Sequence, residues 1–329
     1  MKFPDLTITD VLVHRLRGHY SGPTFPAGQR QAQQLDIYPE FNDRPYDGDT
    51  PREGVPLEAL YVEVQTDGGL SGLWGPIETE QVHPLLSSLR PYLLGRDPLA
   101  TELLFDQMAR MHRHGRSGLF MTAISAVDCA LWDLKGKLFN LPVYRLLGGP
   151  TRAAVPAYAS MLGFPVAPDE AAATAQTFKG QGYGAQKWFF RYGPADGEAG
   201  KIRNLEMATA VRDAVGPEYR LMFDAFMGWD VAYAIEMVRL LAPLNPTWME
   251  EPVPPERVGA LRKIRQAAPV PIATGEHIYT RWQTKELLVN EAVDFLQNDP
   301  DWTGGISELT KVCALASSFD TPVIAHGHS

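Results

Sequence analysis

From residue 155 onward the chain repeats one pattern seven times: a short apolar run, then a longer amphipathic segment. The runs are "VPAYASM", "AQKWFF", "YRLMFD", "PTWME", "VPIATG", "VDFLQN" and "TPVIAH". Between them lie segments such as "AAATAQTFKGQ", "NLEMATAVRDAV", "DVAYAIEMVRLLAPL" and "SELTKVCALASSF", patterned as helices. Parallel strands cannot be joined by tight hairpins and need crossover helices, so this alternation specifies a parallel sheet. Seven units of near-constant length favour a (β/α) barrel over an open doubly wound sheet. No GxGxxG turn follows the first strand and no P-loop occurs, which weakens the usual nucleotide-binding reading.

The part before the repeat reads as a smaller α+β domain. "ITDVLVHRL" and "ALYVEVQTDGGLSGLWG" alternate apolar and polar residues, with Asp67-Gly68-Gly69 as a hairpin turn. Residues 18–58 lack periodicity and form a long loop, which inside a compact domain is usually functional or disordered. Helical patterning covers 77–115. The clearest helix is "TAISAVDCALWDLKGKLFNLPVYRLLGGP", with Ile124, Val127, Leu131, Leu134 and Leu138 on one stripe. Asp133 and Lys137 pair at i,i+4, and Asn140 with Pro142 ends it. The domain boundary is placed at Gly148-Gly149-Pro150, giving 1–148 as a cap and 149–329 as the barrel.

A barrel gathers the C-terminal ends of its strands at one mouth, where barrel enzymes carry their active sites. Here those positions hold Lys187, within the second strand, then Asp224, Glu250, Glu276, Asp299 and His326. From 224 to 250 and from 250 to 276 is 26 residues each, then 23 to Asp299 and 27 to His326, about one strand–helix unit per step. A single carboxylate at a strand end is most often a helix cap, and a lone histidine is most often structural. Three acids converging on one mouth repel one another and call for a cation. An all-oxygen ligand set points to Mg²⁺ rather than zinc.

Other classes fit poorly. A net charge of −9 argues against a nucleic-acid surface, and no Lys/Arg run suggests a membrane patch. The N-terminus alternates like a strand and lacks a signal-peptide core, and no window is long enough to span a bilayer. The two cysteines, Cys129 and Cys313, read as buried thiols of a cytoplasmic protein. His326-Gly327-His328 resembles the His-x-His metal pair of barrel hydrolases, but it lies at the wrong end of the barrel for that group.

In order along the chain, "AISAVDCALWDLKGK…LPVYRLLGG", "FDAF", "WMEEPVPP", "GEH" and the Asp299…His326 pair resemble the enolase superfamily, mandelate racemase/muconate lactonizing enzyme subgroup. The stretches "GPADGEAG", "GEH" and "SGLFMTAISAVDCALWDL" are most similar to the rhamnonate dehydratase-like acid-sugar dehydratases. The resemblance implies a modified TIM barrel with an N-terminal α+β cap, with Asp224, Glu250 and Glu276 holding Mg²⁺. It implies that His326, oriented by Asp299, is a general acid/base for a proton next to a carboxylate, with Lys187 beside the metal.

Many members carry Lys-x-Lys on the second strand, the second lysine being a base opposite the histidine. Lys187 matches the first, and Phe189 stands at the second place. Loss of that base disfavours two-base racemisation and favours a dehydratase in which His326 serves as both base and acid. The expected substrate is a small sugar acid, and the expected assembly is a homo-oligomer. A racemase, epimerase or cycloisomerase of the same superfamily, or a non-catalytic carbohydrate-binding relative, are the alternatives.

Arg191 and His277 are candidate substrate contacts, as are His19 and Arg52 from the 18–58 loop, which the resemblance folds over the mouth. Arg191 could instead pair with Asp196 or Glu198, and "RYGPADGEAG" is expected to be a long polar loop at the rim. Glu251 is expected to make a salt bridge below the metal, or to bind the metal itself if Glu250 does not. The sequence stops directly after the seventh strand, so an eighth strand–helix unit is expected to be missing from this chain.

Overall fold

The structure is a computed structural model, and it describes residues 6–19, 32, 34–41 and 56–327. Strands β1 (Ile8–His19), β2 (Pro56–Thr66) and β3 (Ser71–Ile77) form an antiparallel sheet in the order β1-β2-β3. The helices α1 (Thr79–Pro84), α2 (Arg90–Leu93), α3 (Thr101–Met111), α4 (Gly118–Phe139) and α5 (Val143–Leu146) follow. A π-helical turn over Leu85–Leu89 joins α1 to α2. Val11, Val62 and Val64 of the sheet bury against Ile124, Val127 and Leu131 of α4. Gly72 makes this contact possible: a Cβ there would lie 1.9 Å from the Ala130 carbonyl oxygen. At the far end of α4, Lys137 pairs with Asp133 at 2.6 Å, and Asn140 closes the helix in the left-handed conformation at φ 51°.

The barrel follows as β4 (Ala159–Ser160), α6 (Pro168–Gly180), β5 (Ala185–Phe189), α7 (Gly197–Val215), β6 (Arg220–Asp224), α8 (Val231–Leu241) and β7 (Trp248–Glu250). It continues through α9 (Val258–Ala267), β8 (Ile272–Thr274), α10 (Thr280–Val289), β9 (Phe295–Leu296) and α11 (Gly305–Ser317). The six strands pair in sequence order, all parallel, and the seventh apolar run joins them through one bridge, Leu296 to Val323. Alternation sorts the side chains: Leu221 and Phe223 pack outward against the helices. Met222, Trp248 and Ala273 fill the barrel interior. By that same two-residue period, Asp224 and Glu250 point inward at the mouth.

Two expectations fail. The stretch after Arg191 is not a long polar loop: a 3₁₀ turn at Pro194–Asp196 leads straight into α7 at Gly197. Asp196 accepts the Gly193 backbone N–H at 2.9 Å and closes the chain into a helix entry instead. Cys129 is buried as expected, but Cys313 is exposed. It lies beside the inward stripe of Gly305, Glu308, Val312 and Ala316 on α11, facing away from the core.

Candidate active site

Asp224 and Glu250 end adjacent strands and are register partners. Glu276 follows β8 by way of Gly275, whose φ of +138° and approach to the Gln297 backbone leave no room for a side chain. Asp299 lies just beyond β9, and His326 beyond the last bridge. Lys187 projects inward from β5. Its Nζ stands 3.1 Å from Asp224 Oδ2 and in closer contact with Glu250 Oε1, all three side chains being almost wholly buried. The other oxygen of Glu250 accepts from Trp248 Nε1 at 2.8 Å and from Gln297 Nε2 at 2.7 Å.

Charge balance at this cluster is uneven, with one lysine facing three buried carboxylates. Burial, then the neighbouring Glu250 carboxylate, pushes Asp224 well above the usual carboxylate range. Burial alone would lower Lys187, but Glu250 and Asp224 reverse that and hold the amine well above its ordinary value. Burial likewise raises Glu276, and His326, Lys187 and His277 together outweigh it, leaving its carboxyl lowered.

His326 Nδ1 donates to Asp299 Oδ2 at 2.7 Å. Its Nε2 pairs with Glu276 Oε2, a buried oxygen, at 3.0 Å. Burial would lower this imidazole, but the bonds to Asp299 and Glu276 push it up to about 10. A second imidazole sits alongside: His277 Nδ1 donates to Glu251 Oε2 at 2.8 Å, and Glu251 Oε1 accepts from Thr274 Oγ1. Glu251 thus makes the expected salt bridge, with His277. Trp302, absent from the sequence reading, stands between the two rings at 5.3 Å from each.

The other candidates divide. Arg191 places its guanidinium 5.6 Å from the Tyr192 ring centroid. Glu198, one of its two expected partners, pairs instead with Lys201 at 2.6 Å. His19 is exposed at the end of β1, paired across the sheet with Pro56. Arg52 lies outside the described residues, as does most of the 18–58 loop. Where that loop is described it reaches the barrel: Ala32 N–H donates to the Phe190 carbonyl at 2.7 Å, and Gln34 Nε2 donates to Met227 Sδ at 3.5 Å. Phe189 shares the inward face of β5 with Lys187, its ring centroid 5.1 Å from Nζ.

The donor chemistry suits a hard divalent cation. Asp224, Glu250 and Glu276 offer oxygen alone, and the repulsion of Glu250 and Glu276 that helps raise Asp224 is what such an ion would relieve. A second group, Glu251, Glu276 and His277, has ligand atoms within 4.8 Å of one another and shares Glu276.

A loop carries both Asp299 and Trp302, and α4 of the cap grips it. Ser125, Asp128, Cys129 and Trp132 recur at i, i+3, i+4 and i+7, one helical face. Ser125 Oγ accepts the Gly304 N–H at 2.9 Å, Asp128 Oδ2 accepts the Ser307 N–H at 2.9 Å, and Trp132 Nε1 donates to Ser307 Oγ at 2.9 Å. Cys129 Sγ lies 3.8 Å from the Pro300 carbonyl. From β3, Trp74 Nε1 donates to Asp301 Oδ1 at 2.6 Å. This polar stripe was visible in the sequence as a break in an otherwise apolar helix.

Comparison with known proteins agrees with this geometry. Residues 157–329 match the family described as "Enolase C-terminal domain-like", and residues 57–148 match "Mandelate racemase / muconate lactonizing enzyme, N-terminal domain". The chain is 36% identical to L-rhamnonate dehydratase of Saccharopolyspora erythraea over 278 residues, 83% of this chain and 68% of that one. The structure of rhamnonate dehydratase from Gibberella zeae complexed with Mg superposes with a TM-score of 0.81 at 30% identity, over 98% of this chain and 79% of that one. The 3,6-anhydro-D-galactonate cycloisomerase from Zobellia galactanivorans superposes with a TM-score of 0.77 at 28% identity, over 98% and 80%. Among the described residues no helix is long and apolar enough to cross a membrane.

Proposed function

Because the chain belongs to the mandelate racemase/muconate lactonizing enzyme family of the enolase superfamily, we propose that it is a Mg²⁺-dependent hydro-lyase acting on a sugar acid. The observation that carries this reading is the pairing of one His–Asp dyad, His326–Asp299, with an apolar Phe189 where an opposed base would stand. The rhamnonate dehydratase relatives support the same reading. The division into a cap of residues 1–148 and a barrel of 149–329 is part of this proposal.

Asp224, Glu250 and Glu276 would hold Mg²⁺, which supplies Lewis-acid stabilisation of the negative charge that develops on the substrate carboxylate. This set is preferred to Glu251/Glu276/His277, where Glu251 and His277 already satisfy each other. His326 Nε2 takes the proton from C2, with Asp299 fixing the proton on Nδ1 so that Nε2 is the basic atom. The C2–H electron pair becomes the double bond of an enediolate. The C3–O bond then breaks, and the hydroxyl leaves as water with the proton that His326 took. The resulting enol tautomerises to a 2-keto-3-deoxy acid. Lys187, buried beside two of the acids, supplies positive charge where the substrate carboxylate would bind.

Proton NMR in D₂O with Mg²⁺ and a pool of sugar acids tests this reading, with His326→Asn as control. Loss of the C2–H signal together with a 2-keto-3-deoxy product, both absent in the control, is the expected result. C2 exchange without elimination would replace the dehydratase with an epimerase, and ring closure without loss of water with a cycloisomerase.

A further inference from the structure

Trp302 has no place in the reaction just described, yet it touches both imidazoles of the mouth. Its ring lies 5.3 Å from His277 at an interplanar angle of 23°, and 5.3 Å from His326 at 31°. The two histidines are built alike. Each donates Nδ1 to a buried carboxylate, Glu251 at 2.8 Å for His277 and Asp299 at 2.7 Å for His326. Each also approaches the same third carboxylate: His277 Nδ1 lies 3.4 Å from Glu276 Oε1, and His326 Nε2 lies 3.0 Å from Glu276 Oε2.

A single hydrogen bond fixes the direction of a ring but leaves its plane free to turn about that bond. A flat face stacked on the ring fixes the plane. Trp302 supplies that face to both imidazoles at once, as a spacer between them. It is itself held firmly. Its backbone N–H donates to the Asp299 carbonyl at 3.1 Å, and the Asp301 N–H donates to Asp299 Oδ1 at 2.7 Å. Trp74 of the cap holds Asp301, and Ser125 of α4 holds Gly304. The spacer and the orienter of the base therefore ride on one anchored loop.

We propose that Trp302 is a positioning residue that sets the ring planes of His326 and His277 and keeps the two His–carboxylate dyads separate over Glu276. Its effect on turnover rests on the dehydratase reading; its effect on the rings does not. Proton transfer at C2 requires His326 Nε2 to meet the C–H bond within a narrow range of angle, so loss of the plane falls on kcat rather than KM.

The test compares Trp302→Leu and Trp302→Phe with the wild type in two measurements. Long-range ¹H–¹⁵N spectra of ¹⁵N-histidine-labelled protein, with and without Mg²⁺, report ring-proton shifts, while the ¹⁵N shifts report protonation at the same pH. In Trp302→Leu the ring protons of both histidines should move downfield as the indole ring current is lost. In this variant kcat for dehydration should fall about 10- to 100-fold, with KM within about threefold. Trp302→Phe should restore most of kcat but only part of the shifts, because a phenyl ring current is weaker than that of indole. Unmoved histidine signals in Trp302→Leu overturn the proposal, as does a kcat within about twofold of wild type when the signals have moved. Should Trp302→Leu not fold, Trp302→Phe decides by itself, because its weaker ring current must leave both sets of shifts displaced from wild type. A wild type that turns over no sugar acid sinks the dehydratase reading, and the spectra still decide what Trp302 does to the rings.

Discussion

Asp128, in the middle of the longest cap helix, accepts the backbone N–H of Ser307 at the start of α11, and this 2.9 Å bond joins the two domains beneath the loop that carries Asp299. Its other oxygen, Oδ1, is buried without a hydrogen-bond partner among the described residues. Burial pushes this carboxyl up to about 7.

A carboxyl whose folded value lies above its unfolded one stabilises the fold while it is protonated. That contribution is complete below about pH 4 and lost as the pH rises through about 7. Asp128→Asn removes the titration but keeps an acceptor for Ser307. Denaturant melts of both proteins between pH 4 and 8 should show the wild type losing stability relative to the variant by a few kcal/mol across that window. Parallel pH curves would mean that Asp128 is ionised throughout.

Gly305 marks the same junction from the other side. Its φ is +80°, and a Cβ there would lie 2.3 Å from Asp128 Oδ2. Gly305→Ala should cost about 2–4 kcal/mol, from strained backbone and a clash with a carboxylate that cannot retreat. In an Asp128→Ala background the added cost should shrink to the backbone part, about 1–2 kcal/mol. Chemical denaturation of the four proteins measures this. Equal costs in both backgrounds would remove the clash from the account.

Among the described residues Lys187 is the cation that pairs with both Asp224 and Glu250. Lys187→Met leaves two buried carboxylates without it, so the metal-free variant should lose about 3–5 kcal/mol. Added Mg²⁺ should raise its melting temperature more than it raises that of the wild type, because the ion no longer competes with an amine. Turnover should fall by two orders of magnitude or more if the amine also faces the substrate. Identical Mg²⁺ responses in calorimetry would place the ion away from Asp224 and Glu250.

Asp299 holds the proton on His326 Nδ1 and raises the imidazole. Asp299→Asn should lower kcat about 10²- to 10³-fold. It should also move the acidic limb of the kcat/KM profile to lower pH, because His326 then loses its proton more easily. An unchanged limb would assign that ionisation to another group.

Much of the mouth was legible in the sequence because chain length enforces it. A strand and a helix together consume about 26 residues before the chain returns to the same rim, so Asp224, Glu250 and Glu276 could be matched by counting. Which faces those strand ends present came from the structure, where Phe223 and Met249 pack outward. Phe189 was legible only through the resemblance to a Lys-x-Lys strand, and the structure puts its ring 5.1 Å from Lys187 Nζ. Segment 191–200 was misread because its Gly, Pro and acids suit a helix entry as well as a loop, and only Asp196 closing onto Gly193 distinguishes the two.

Local rules, then, determined the parallel sheet, the strand ends and the acids that stand on them, since alternation and unit length act over a few residues at a time. Tertiary structure alone decided what those residues meet. The pairing of His277 with Glu251, the stacking of Trp302 between two imidazoles, and the hold of Ser125 and Asp128 on residues 304 and 307 join segments separated by up to 179 positions. Such contacts depend on how the cap seats on the barrel, and no sequence period records the distance between two surfaces that meet only when both domains are packed.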